Sequence, residues 1–163
     1  MQIEKYRTQS TVDSLIYTIE SIGEKVIKKG VIYSKFENPN DVGLPSYISV
    51  YNLGFGDIDE ETGEIDDQIV SKNGDTEIVL ATVANTASNF WTEYPHAYIF
   101  FVGSVPDGEK PRRTRLYQMK INRYFEEISL VANVLGYTEK GWEKFTKSKN
   151  YEAFLISQKN QLF

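Results

Sequence analysis

Three arginines within four residues, Arg112, Arg113 and Arg115, open a segment whose apolar residues recur at helical spacing. A helix start carries unpaired amides and a partial positive charge. Each arginine close to that end is unfavourable by about 0.3–1 kcal/mol. A bound anion reverses the sign, because it accepts from the amides and from bidentate guanidinium groups together. Ser104 and Thr114 add hydroxyl donors. The spacing points to a phosphate-binding site made of Ser104, Arg112, Arg113 and Arg115. The competing reading is structural: Asp107, Glu109 and the acidic run upstream neutralise the arginines internally.

Other constellations are weaker. Asp57, Asp59, Glu60, Glu61, Glu64, Asp66 and Asp67 fall within eleven residues, and Asp57, Asp59 and Glu61 alternate as in a calcium loop. The match then fails, since Gly63 sits one place late and Gln68 stands where the bidentate glutamate belongs. A solvated hairpin tip is the simpler account. Gly54-Phe55-Gly56 is half of a dinucleotide fingerprint, but Asp59 replaces the third glycine and a strand pattern surrounds it. His96 is the single histidine and has no nucleophile motif beside it, which argues against a triad and against a histidine metal site. The expectation is therefore no catalytic residue, no metal and no cofactor. Trp142, Phe145, Tyr151 and Phe154 read as a hydrophobic cluster rather than a ligand wall.

The elements that position these residues are readable from length and period. At 163 residues the chain fits one domain, 1–163, large enough to bury a core without staples. There is no cysteine, no glycosylation sequon and no N-terminal apolar leader, so a cytoplasmic protein is expected. The longest apolar run, Ala97 to Val102, is far too short to span a membrane. Net charge is −5, which argues against a general polyanion binder while leaving room for one local anion site.

Strands are expected over Ile3–Thr8, Val12–Ser21, Val26–Phe36, Tyr47–Asp57 and Ile65–Val70, with a turn at Asn38–Asp41. A helix is expected from Asp75, capped by Asp75 or Thr76 and closed by Pro95. Val79, Val83, Ala87, Phe90 and Tyr94 form its buried stripe, widened by Leu80, Ala84 and Trp91. Ala97–Val102 reads as a central strand, Arg113–Ser129 as a second helix, and Leu130–Tyr137 and Tyr151–Ser157 as two closing strands. The fold class is α+β: a largely antiparallel sheet of about six to eight strands, with two main helices on one face.

The run Tyr51-Asn-Leu-Gly-Phe-Gly-Asp57, Val79-Leu-Ala-Thr-Val83, Gly103-Ser104, Arg113-Thr-Arg-Leu-Tyr117 and Asn150-Tyr-Glu-Ala-Phe154 together resemble a family of small bacterial proteins classed only as a domain of unknown function. The resemblance runs from about Tyr17 onward and implies no activity, cofactor or partner. The residues favour a binding or regulatory module for a phosphate-bearing small molecule, such as a nucleotide, or for nucleic acid. The alternatives are a phosphate-handling transferase or nuclease-like enzyme, and a protein-interaction component of a toxin–antitoxin or phage-defence system. A protein partner and any oligomeric state stay open, and no membrane association is expected.

Overall fold

The computed structural model describes residues 4–66, 74–102, 112–147 and 149–159. In chain order these form β1 (Gln9–Ser10), β2 (Ile16–Ile22), β3 (Val26–Lys35), a 3-10 turn (Pro39–Val42), β4 (Val50–Ile58), β5 (Ile65–Asp66), α1 (Thr76–Glu93), β6 (Tyr98–Phe101), α2 (Arg112–Val131), β7 (Ala132–Thr138), β8 (Gly141–Lys144) and β9 (Phe154–Gln158). The class is α+β: β4 pairs in parallel with β6, while β1 with β2, β2 with β3, β4 with β5, β6 with β9, β7 with β8 and β7 with β9 pair antiparallel. The chain divides into two compact units. Unit 1 is Met1–Ser34 with Gly54–Tyr94, and unit 2 is Lys35–Leu53 with Pro95–Phe163.

In unit 1, β2 alternates strictly, with Tyr17, Ile19 and Ser21 buried and the residues between them exposed. That is the period-2 pattern of a strand with one face on a core. β3 pairs with it so that Tyr17 stands opposite Val31 and Ile19 opposite Lys29. α1 covers this face. Phe90 has no exposed surface and stacks on Tyr33 with ring centroids 4.3 Å apart. Tyr33 in turn meets Tyr17 edge to face.

Val79, Val83 and Ala87 complete the buried stripe, and Tyr94 stacks on Phe90 at its end. Ala84 is exposed and does not widen it. Thr82 and Thr86 do, fully buried, with their hydroxyls donating to Ile78 O and Val83 O. A buried threonine satisfies itself on its own helix, so it can replace a hydrophobe on a core face. Lys29 is buried too, paired to Asp57 at 2.5 Å and lying over the Phe55 ring.

In unit 2, β6 is flanked on both sides, parallel to β4 and antiparallel to β9. Its position explains the uninterrupted apolar sequence. β9 pairs with β7, and β7 with β8. α2 lays Ile121 onto Val134, Phe145, Tyr151 and Phe154, with Phe125 and Ile128 beside it. Trp142 stands apart from that cluster: it meets Phe100 and Tyr137 edge to face and donates from Nε1 to Val42 O at 2.7 Å.

Several expected boundaries shift. Residues 4–8 form no strand, and pairing starts only at Gln9. Residues 11–15 make the turn into β2, held by Asp13 accepting from Thr11 Oγ1 and Leu15 N. β8 was not expected at all, so three strands rather than two follow α2. Its four residues, Gly141-Trp-Glu-Lys144, are too few and too polar to show an alternation. The acidic run does form a hairpin, β4 with β5, where Asp59 accepts from the amides of Glu61 and Thr62 and Gly63 takes a positive φ of 74°.

Two substitutions test this packing. Phe90→Ala should cost about 3–5 kcal/mol in urea unfolding, as expected for an aromatic ring removed from a closed core. Gly136→Ala should cost about 1–3 kcal/mol, because a Cβ there would overlap the buried ring of Tyr151 at its root.

Candidate anion site at the start of α2

Strand β6 leads toward α2 from inside the unit 2 sheet, and α2 begins at Arg112. The helix therefore carries Arg112, Arg113 and Arg115 within its first four positions, and its first turn holds no acidic residue. The backbone brings these three expected residues into one turn. Their side chains lie outside the described residues, as does Ser104. With about 100° of rotation per residue, position 115 falls between Gln118, about 60° to one side, and Met119, about 40° to the other. Gln118 is 8% exposed and Met119 64%.

The next turn shows why the helix start is held where it is. Gln118 donates from Nε2 to Lys149 O at 2.9 Å and accepts at Oε1 from Tyr151 N at 3.3 Å. One side chain fixes both ends of a short loop to α2. That loop is braced further. Lys149 Nζ donates to both oxygens of Glu143 at 2.9 and 2.8 Å. Tyr151 OH donates to Glu143 at 3.1 Å and accepts from Thr146 N at 3.0 Å. The hydrogen bond from Lys149, chiefly, holds the Glu143 carboxyl below its ordinary value, and the same bond holds the Lys149 ammonium above its own.

The loop sets the Lys149 backbone beside position 118, one turn of helix, about 5 Å, from position 115. Lys147, in the same loop, lies over the Phe125 ring. A further turn along, Asn122 has its Oδ1 buried with no hydrogen-bond partner. Gln118, Asn122 and Lys149 were not singled out from sequence. Their roles depend on a contact between residues some thirty positions apart, for which no local pattern exists.

Charge is divided between the units. Unit 1 carries six basic and fourteen acidic residues, a net −8, and unit 2 carries twelve basic and nine acidic, a net +3. The overall −5 conceals a basic unit that contains every arginine of the expected site. Elsewhere, His96 lies in an exposed turn before β6, at the other end of that strand from α2. Gly54-Phe55-Gly56 sits inside β4, in strand conformation. Among the described residues, no three acidic or histidine side chains gather as a metal site would require, and no helix is long and apolar enough to cross a membrane.

A family model described as "Family of unknown function (DUF6934)" matches residues 2–159. Neither the curated proteins nor the solved structures contain a match to the chain.

Gln118→Leu keeps the apolar volume near that of the native side chain but strands the Tyr151 amide. It should cost about 1–3 kcal/mol, and amide exchange at Tyr151 should accelerate while exchange in β6 stays unchanged.

Proposed function

We propose, for a chain that belongs to the family of unknown function DUF6934, that it is a binding or regulatory module holding a phosphate-bearing ligand, a nucleotide or nucleic-acid end, at Ser104, Arg112, Arg113 and Arg115. The observation that carries the reading is three arginines on the opening turn of α2 with no acidic residue in that turn. Positive side chains at the positive end of a helix dipole oppose one another, and an anion is the partner that relieves both. The basic balance of unit 2 supports this, since long-range attraction favours an anionic ligand there. The bracing of the next turn by Gln118 supports it as well, because a recognition group needs a rigid base.

Binding is preferred to phosphate-transfer chemistry because the one histidine is exposed at the far end of β6. A transferase or nuclease would need a base or metal beside the phosphate. The absence of cysteine from the sequence fits a reducing, cytoplasmic setting.

The test is a titration of the protein with inorganic phosphate, nucleoside mono-, di- and triphosphates and short single-stranded oligonucleotides. Arg115→Ala should weaken the best of these by about ten- to a hundredfold, the worth of a charge-assisted hydrogen bond, with the melting temperature nearly unchanged. Affinity should also fall as salt rises. If Arg115→Ala lowers the melting temperature and no phosphate compound binds, the arginines are structural, and a protein partner becomes the better reading.

A further inference from the structure

Unit 1 holds a feature that the anion site does not involve. Residues 4–8 run without regular secondary structure, with Glu4, Lys5 and Arg7 exposed and Tyr6 and Thr8 half-buried. A set of polar bonds centred on Tyr6 holds this segment. Lys5 Nζ donates to Asn85 Oδ1 at 3.0 Å and Tyr6 N donates to Thr82 Oγ1 at 2.8 Å, both on α1. The Tyr6 hydroxyl donates its one proton to Asp75 Oδ2 at 2.6 Å and accepts from Ile22 N at 3.0 Å.

Asp75 is the residue at the N-cap of α1, where an aspartate normally accepts from the helix's own first amides. It makes no such bond. Its backbone sits at φ −125° and ψ 29°, outside the extended region that a capping residue adopts, and its carboxylate turns instead to Tyr6 and to Ser21 Oγ at 2.5 Å. The side chain is only 9% exposed. One carboxylate thus has two mutually exclusive tasks: to latch Tyr6, or to cap α1. Capping favours a helix by roughly fivefold, so whatever closes the latch forgoes that gain, and whatever opens it recovers it.

We infer that residues 4–8 are a detachable strap and that Asp75 is its two-position latch. In the closed position Asp75 binds Tyr6 and Ser21. In the open position it caps α1, and the strap leaves without unfolding the unit. Opening uncovers the Ile22 amide at the edge of β2, which the Tyr6 hydroxyl otherwise occupies. It also frees the Thr82 hydroxyl on α1 from its role as acceptor for Tyr6 N.

Residue-resolved amide exchange tests the latch. In Tyr6→Phe, the amides of residues 5–10 should exchange about tenfold faster or more, the loss expected for a hydrogen bond to a carboxylate. Amides in β3 and in the middle of α1 should keep their native rates. The amides of Glu77 and Ile78, at the second and third positions of α1, should exchange more slowly, because Asp75 has become their acceptor. That slowing should vanish in Tyr6→Phe combined with Asp75→Ala. In the native chain, strap amides should exchange at rates independent of urea well below the unfolding transition, the signature of local opening. Uniform acceleration across α1 and β3 would show that Tyr6 is an integral core residue. Unchanged protection at Glu77 and Ile78 would show that Asp75 does not switch. Either result overturns the proposal.

Discussion

A buried polar group must find a partner, because leaving one unpaired costs about 1–3 kcal/mol, a large share of the margin by which a domain is stable. Both units meet that demand at most of their buried polar groups, Asn122 Oδ1 being an exception. In unit 1 the α1 face that packs on β2 and β3 includes Thr82 and Thr86, each satisfied by a carbonyl of its own helix. Thr86 also meets the hydroxyl of Tyr33, whose ring is fully buried beneath Phe90. Burial pushes the Tyr33 phenol well above its ordinary value, so the group stays neutral. Asp75 and Lys29 would each be a buried charge without Tyr6, Ser21 and Asp57. In unit 2 a single amide, Gln118, meets the demand for a loop carbonyl and a loop amide at once.

These polar contacts also determine register. Aromatic packing such as Tyr33 on Phe90, or Phe145 on Phe125 and Tyr151, supplies most of the stabilising burial but tolerates small displacements. Hydrogen bonds are more demanding, because they prefer angles above about 150° and weaken steeply below about 120°. Gly136 shows the packing limit reached at one point: the strand runs so close beneath the Tyr151 ring that only a residue lacking Cβ fits. Tyr151 is then held by Gln118 at its amide and by Glu143 and Thr146 at its hydroxyl. The base of the arginine-bearing helix is tied through that one residue to the β7, β8 and β9 strands.

The proposed anion site and the proposed strap occupy different units and use different chemistry. One is an unpaired positive potential at a helix start, the other a carboxylate shared between two sets of donors. Their separation follows the charge division. Unit 1 carries most of the acidic residues, and unit 2 most of the basic ones. A chain-wide net charge of −5 is a poor guide when the units are not continuous in sequence. Unit 1 takes residues from both sides of the stretch 35–53, so neither unit's balance is that of one continuous stretch of chain.

Sequence by itself determined the local regularities. The stripe Val79, Val83, Ala87 and Phe90 identified α1, the β-forming residues of Val12–Ser21 marked a strand where β2 lies, and the unbroken apolar run around Ile99 marked an interior strand. The acidic run read as a hairpin tip, and the arginines fell on a helix start. Each is a property of neighbouring residues and of the backbone period, 3.6 for a helix and 2 for a strand. The resemblance to a family of unknown function was read from sequence as well, and a model of such a family matches residues 2–159. Tertiary structure alone decided the rest. Ala84 is exposed and Thr82 buried because the facing strands, not propensity, set the width of a helix's covered face. β8 exists because β7 offers it an edge, and residues 4–8 form no strand because their bonds go to α1 instead. Asp75 takes Tyr6 and Ser21 rather than its own helix, and Gln118 takes a loop thirty positions away, because such choices depend on which distant groups the fold brings within 3 Å. No period or spacing along the chain encodes that distance.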